Sequence, residues 1–252
     1  MSQSQVSLGQ MCAHLGKLFG PRNAIYLPGI QNRISFLSMG ARNLEDAIRK
    51  ELGNGERGKT LASLFARICA LVEHFRTISL SITMSRKYPR AGCAYCQRLP
   101  CRCLDSNRPD HQLSLGNNEQ LAWSIREWQE HHELVYGSHN RQPENGIHNA
   151  LHRLFAEIAE LETLCLITAN SESGYDQANL RQLYTLELAD VFAWVMAIAN
   201  LLHINLEETV ISLYGLPGAP CRKCGQLPCS EGPPNMSQRR LILSTDSTVV
   251  IK

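Results

Sequence analysis

The chain has 252 residues, 44% of them apolar and 19% charged, with a mean hydropathy of −0.20. That composition can bury one large core or two small ones and excludes a disordered or collagen-like chain. The net charge of +2 hides a split: residues 1–103 carry 15 Lys/Arg against 5 Asp/Glu, net +10, and residues 104–252 carry 10 against 18, net −8. A basic half can attract phosphate and an acidic half can hold a hard cation; the plainer reading is two solvated faces that attract one another.

The first residues, MSQSQVSLGQ, lack a charged-then-apolar leader, so a cytoplasmic protein is expected. The longest apolar stretch, Val191–Leu202, is shorter than a bilayer span, and no membrane partner is expected. From Ser7 onward the chain repeats itself. SLGQMCAHLGKLFG (Ser7–Gly20) returns as SIREWQEHHELVYG (Ser124–Gly137), and QNRI (Gln31–Ile34) as ENGI (Glu144–Ile147). LASLFARICA (Leu61–Ala70) lies over LADVFAWVMA (Leu188–Ala197) without a gap, and TISLSIT (Thr77–Thr83) over HINLEET (His203–Thr209) with a one-residue adjustment. CAYCQRLPC (Cys93–Cys101) is almost the same string as CRKCGQLPC (Cys221–Cys229). These echoes predict a tandem duplication: residues 1–103, a linker at 104–111, residues 112–231, and a tail at 232–252. In the tail, LILSTDSTVVIK alternates β-formers around Thr-Asp-Ser, which predicts a short hairpin or a terminal strand.

The periodicity within each repeat is helical. Ser124–Tyr136 is one predicted helix, and a second follows from Ile147, Ala150, Leu151, Leu154, Phe155, Ile158 and Leu161, which recur every three or four residues. Leu186–Leu202 is apolar on most sides and so belongs at the centre of a bundle. A last helix starts at Asn205, whose side chain can cap it, and stops at Gly215-Leu-Pro217. No strand–helix alternation is present, so the expected class is all-α.

Certain acidic residues break this apolar pattern. Glu157 and Glu160 are three apart in FAEIAELE, and Glu187 and Asp190 are three apart in LELADVFAW. Residues at that spacing share a helix face, so each pair aims two carboxylates one way. Buried carboxylates need a compensating cation, and all-oxygen ligation selects a hard divalent ion, Mg2+ or Mn2+. Such an ion bridges to phosphate oxygens, which points to a polyphosphate substrate attacked by a metal-bound water. The plainer alternative makes all four surface charges paired with Arg or Lys.

Glu157-x-x-Glu160, 26 intervening residues and Glu187-x-x-Asp190 resemble the signature of the MazG-like all-α nucleoside triphosphate pyrophosphohydrolases. ENGIHNALHRLFAEIAELE and ELADVFAWVMAIANLLHINLEETV are similar to that family's motif segments, over roughly residues 119–214. The resemblance implies tandem helical bundles forming a pseudo-dimer, with a further homodimer open. It implies Mg2+-dependent cleavage of (d)NTP to (d)NMP and pyrophosphate, as in nucleotide-pool house-cleaning, with Glu157, Glu160, Glu187 and Asp190 as ligands. The chain departs from the pattern at Ala156, where many members carry a further Glu. Trp128 and Gln129 match a Trp-Gln pair near the base in some members; a core Trp with an exposed Gln is the alternative. Asn149 and Asn200 are further candidate substrate contacts, and His148 and His152 are expected at the surface or in packing.

Alignment places Thr60 and Ser63 opposite Glu187 and Asp190, and Leu44 and Ala47 opposite Glu157 and Glu160, so the first copy is expected to be silent. Its cations Arg33, Arg42, Lys59 or Arg67 are candidates to face the triphosphate. Cys93, Cys96, Cys101 and Cys103 form a predicted tetrahedral, structural Zn2+ knuckle. Cys221, Cys224 and Cys229 form a second, with Glu231, a remote His or a residue of the other repeat completing it; an iron–sulfur cluster is the alternative. The isolated Cys12, Cys69 and Cys165 are expected as small buried hydrophobes. The competing functional reading is a nucleotide-sensing or nucleic-acid-binding module with little turnover, since Arg86, Lys87, Arg90, Arg98 and Arg102 crowd the first knuckle.

Overall fold

A computed structural model describes residues 5–75, 79–103, 116–142, 146–169 and 176–232. Among these residues the regular structure is entirely helical: α1 (Leu8–Tyr26), α2 (Ile30–Arg49), α3 (Asn54–Phe75), α4 (Leu80–Lys87), a 3-10 turn (Asn118–Ala122), α5 (Ile125–Asn140), α6 (Gly146–Ala169), α7 (Gln177–Leu201) and α8 (Leu206–Tyr214). The predicted linker at 104–111 and the predicted hairpin or strand of the tail lie outside the described residues.

Local sequence explains where these helices begin. Ser7 and Ser124, matching positions of the two echoes, each accept a hydrogen bond from the third helical N–H, while Gln10 and Glu127 reach back to the cap N–H. Asn205 caps α8 by accepting from the Glu208 N–H at 3.1 Å. Helix α7 starts at Gln177, before the expected Leu186, and buries Leu180 and Tyr184 in the added turns.

The helices α1–α4 and α5–α8 follow the same order of three long and one short, and they pack as an exchange. The central pairs are α3 with α7 and α2 with α6; α4 lies on α7, and α8 lies on α3. Each short helix therefore supports the other half. Phe65 and Phe192, which occupy matching positions of the Leu61 and Leu188 echoes, meet at 5.5 Å between ring centroids with neither ring exposed. Burying two such rings stabilises the junction by about 1.5–3 kcal/mol each. One continuous core joins both halves.

The two Cys-rich segments dock by the same exchange. The Cys101 N–H donates to the Val135 carbonyl of α5 at 2.8 Å, and the Cys229 N–H donates to the Leu18 carbonyl of α1 at 2.8 Å. Val135 and Leu18 are themselves matching positions. His131 Nε2 meets the Pro89 carbonyl at 3.2 Å, and its counterpart His14 meets the Tyr214 carbonyl through Nε2 at 3.2 Å.

The stretch Asn179–Leu201 reaches the length and hydropathy of a membrane span, further than Val191–Leu202 alone, but 72% of its 18-residue apolar segment is buried inside the protein. Its apolar surface is met by α3, α4, α5 and α6, as expected of the bundle's central rod.

Candidate active site

Helices α6 and α7 make the most extensive helix pair of the molecule and hold the four acidic residues on facing sides. Glu157, Glu187 and Asp190 each bring a carboxylate oxygen within 4.8 Å of the others. Glu160 joins them through a hydrogen bond to Glu187. All four line one cavity of about 340 Å³.

This crowding costs electrostatic energy. Burial first, then repulsion from Asp190 and Glu160, pushes the Glu157 carboxyl up to about 7, although the Trp194 indole N–H donates to it at 3.3 Å. Burial is also the largest influence on Glu187, which rises to about 8; Lys87 opposes the rise while Asp190 and Glu160 add to it. Four carboxylates face one buried ammonium, an arrangement a divalent cation would neutralise.

The ammonium comes from the first half. Lys87, at the end of α4 and 3% exposed, donates to Asp190 Oδ2 and to the Leu186 carbonyl. Tyr88, the next residue, donates its hydroxyl to Asp190 Oδ1 at 2.5 Å, and its own ionisation is pushed well up, first by burial. The cations expected from the sequence lie elsewhere. Arg33 is buried against Glu73 and donates to the Leu27 and Ala70 carbonyls. Lys59 pairs with Glu56 on the surface, Arg42 is exposed, and Arg67 stacks on Phe36. The sequence offered no signal for Lys87 beyond its place among the basic residues before the first knuckle.

Of the expected substrate contacts, Asn149 lines the acidic cavity. Trp128 does not: it is 1% exposed and packs edge-on against Trp123 in the core. Gln129 is buried as well. Its Nε2 donates to Asn200 Oδ1 and the Ile204 carbonyl, and its Oε1 accepts from the Leu206 N–H, so Gln129 and Asn200 fasten the start of α8. They border a separate surface cleft with His203. His148 and His152 are exposed. The acidic cavity instead gains an aromatic wall of Tyr88, Tyr136 and His132, in which Tyr136 meets Tyr88 edge-on at 6.2 Å. Burial holds His132 neutral, down to about 3.

In the first cysteine cluster, Cys93 Sγ lies 3.7 Å from Cys103 and 3.3 Å from Cys101, and Cys96 lies 4.0 Å from Cys101. Four thiolates around one tetrahedral Zn2+ stand about 3.8 Å apart, so these separations suit a metal. Desolvation opposes ionisation of Cys96, but the backbone N–H groups of Arg102 and Arg98 outweigh it and bring that thiol to about 6. Cys221, Cys224 and Cys229 are gathered in the same way, and the N–H of Ser230 leads in lowering Cys224 to about 6. Both clusters could hold a structural metal. Cys12 and Cys69 are buried as expected, but they are not isolated: their sulfurs are 3.0 Å apart between α1 and α3.

The first half carries a counterpart cavity of about 320 Å³. Tyr214 stands where Tyr88 stands, edge-on to Phe19 at 5.6 Å as Tyr88 is to Tyr136. Its hydroxyl bonds to Ser63, the residue matching Asp190. Leu44 and Ala47 are buried in the core. The aromatic and hydroxyl contacts repeat, with Ser63 standing where the other cavity has Asp190.

No family model, curated protein or solved structure matches this chain.

Proposed function

We propose that this chain is a divalent-cation-dependent nucleoside triphosphate pyrophosphohydrolase that splits (d)NTP into (d)NMP and pyrophosphate. The observation that carries the reading is the convergence of Glu157, Glu160, Glu187 and Asp190 on one cavity with a single buried ammonium opposite. Mg2+, or Mn2+ in its place, suits that oxygen set and supplies neutralisation of triphosphate charge when bound. Lys87 and Tyr88 hold Asp190 in place, Asn149 and Arg153 offer donors to phosphate oxygens, and the Tyr88–Tyr136–His132 wall offers a face for a base. The first half serves as a built-in, silent partner whose α4 completes the site. Zn2+ is the proposed occupant of both cysteine clusters, with Glu231 as fourth ligand of the second.

The test is a panel of ribo- and deoxynucleoside triphosphates with Mg2+, assayed for pyrophosphate, beside Glu187→Gln and Asp190→Asn. Release by the natural sequence and loss of about a hundredfold or more in both variants supports the reading. Nucleotide binding without pyrophosphate release would replace the enzyme with a sensing module, and activity retained in both variants would refute the site.

A further inference from the structure

The cavity of the first half has kept its shape while its chemistry has reversed. Where the acidic cavity has His139 and Trp194, this one has Arg22 and Arg67, and the second knuckle adds Arg222 and Lys223 to its rim. Among the described residues Glu231 is the only carboxylate lining it, and Glu231 faces Lys223 at 3.9 Å.

Arg67 is the central group. It is 7% exposed, lies 3.7 Å over the Phe36 ring and donates to the Phe36 carbonyl, with no carboxylate paired to it among the described residues. Among the described residues its Nε has no hydrogen-bond partner, and neither has Nε of Arg22. Desolvation of this isolated charge pulls the Arg67 guanidinium down to about 10. A buried guanidinium without a counter-ion is unfavourable unless an anion meets it, and the planar fork of arginine suits phosphate oxygens. Phe19 and Tyr214 add an aromatic wall beside these cations. The cavity volume lies within the range of small-molecule sites.

We infer that this cavity is a second ligand site, which takes a phosphate-bearing small molecule of about nucleoside monophosphate size, its phosphate against Arg22 and Arg67 and its ring against Phe19 and Tyr214. The inference does not rest on hydrolysis in the acidic cavity. It gives the first half a binding task in place of the metal chemistry its sequence lacks.

Calorimetry on the full chain tests it, with inorganic phosphate, pyrophosphate and the nucleoside monophosphates as separate probes, in the absence of divalent cation. The expected result is saturable binding of at least one probe with Kd under about 1 mM. Monophosphate binding at least tenfold tighter than phosphate identifies the ring as part of the ligand, and equal binding identifies a bare phosphate site. Arg22→Gln and Arg222→Ala, both at solvent-accessible positions, should each weaken binding about tenfold. Arg67→Lys keeps charge but loses the fork and should weaken it further, with an unchanged circular dichroism spectrum as the check on folding. Glu187→Gln/Asp190→Asn must bind as the natural sequence does. No binding by any probe at about 10 mM, undiminished affinity in Arg22→Gln and Arg222→Ala, or loss in the acidic-cavity variant would overturn the assignment. So would binding of single-stranded oligonucleotides with no response to the small phosphates, which would make the basic rim a nucleic-acid surface.

Discussion

Lys87 and Asp190, 103 residues apart in sequence, form an ion pair that joins the two halves at the floor of the acidic cavity. The ammonium holds Asp190 Oδ2, an oxygen that the proposed divalent cation would claim. Lys87→Met should therefore increase Mn2+ affinity about tenfold, because a competing positive charge is gone. The same variant should melt lower without metal, since Asp190 loses its buried ammonium while three carboxyls remain beside it; the cost is about 3–5 kcal/mol. Thermal melts across a Mn2+ titration check both, and an unchanged Mn2+ midpoint would refute the competition.

The contribution of the acidic cluster to stability should also fall as pH rises in the metal-free protein. Glu157 and Glu187 keep their protons up to about 7 and 8 when folded, against 4.5 in their ordinary state. Between these values the folded chain binds more protons than the unfolded one, so each rise in pH favours unfolding. His131 and His132, held neutral by burial, act the other way below about 6.5. Cys96 and Cys224, brought to about 6 against an ordinary 9.0, also act the other way across this range. The carboxyl effect is therefore read as a difference: between about pH 6.5 and 8 the natural sequence should lose melting temperature relative to Glu157→Gln/Glu187→Gln. Mn2+ displaces the same protons, so the stabilisation it confers should grow over that window. A metal-free profile identical in the natural sequence and in Glu157→Gln/Glu187→Gln would contradict the crowding of these carboxyls.

Neutralising one member isolates the repulsion. Glu187→Gln keeps the side chain's shape and removes a charge, so at about pH 8 the metal-free variant should melt about 2–4 °C higher than the natural sequence. It should no longer respond to Mn2+ and should release no pyrophosphate. A variant that melts lower and still responds to Mn2+ would place the cation elsewhere.

Gln129 should act on stability alone. Its amide makes three hydrogen bonds at the start of α8, so Gln129→Leu should cost about 1–3 kcal/mol through the unmet Leu206 N–H and Ile204 carbonyl. Denaturant unfolding measures that loss. The KM for nucleotide should stay within about twofold, because the residue lies outside the acidic cavity. A large rise in KM would return Gln129 to the substrate.

Metal removal should loosen the knuckles. Strong chelators should lower the melting temperature, and Cys101→Ser should do so more than Cys12→Ser, since Cys101 sits where the first knuckle hydrogen-bonds to α5. Gly92→Ala should have a similar local effect: its φ is +136° and a Cβ there would lie 2.8 Å from the Arg98 carbonyl oxygen. Melting that ignores both chelator and Cys101→Ser would show that the thiols hold no structural metal.

The helices and the acidic pairs were legible because both depend on short spacings: three- and four-residue periodicity defines α6 and α7, and the same spacing aims Glu157 with Glu160 and Glu187 with Asp190. Lys87 and Tyr88 were not legible, because their partner lies across a helix exchange that no local pattern encodes. Trp128 and Gln129 lie away from the acidic cavity for a different reason. A large ring and an amide serve equally well to pack a core and tie a helix start as to stack on a base, and burial alone distinguishes the two. Arg67 was recognised as a cation, but its position over Phe36 depends on Gly40, where a Cβ would come within 2.9 Å of the Arg67 side chain.

The exchange of α4 and α8 between halves has an evolutionary consequence. In an assembly of identical subunits, every substitution would alter both symmetry-related cavities at once. Here Asp190 and Ser63, or Trp194 and Arg67, are encoded by separate codons on one polypeptide, so either cavity can drift under its own selection while the shared scaffold stays intact.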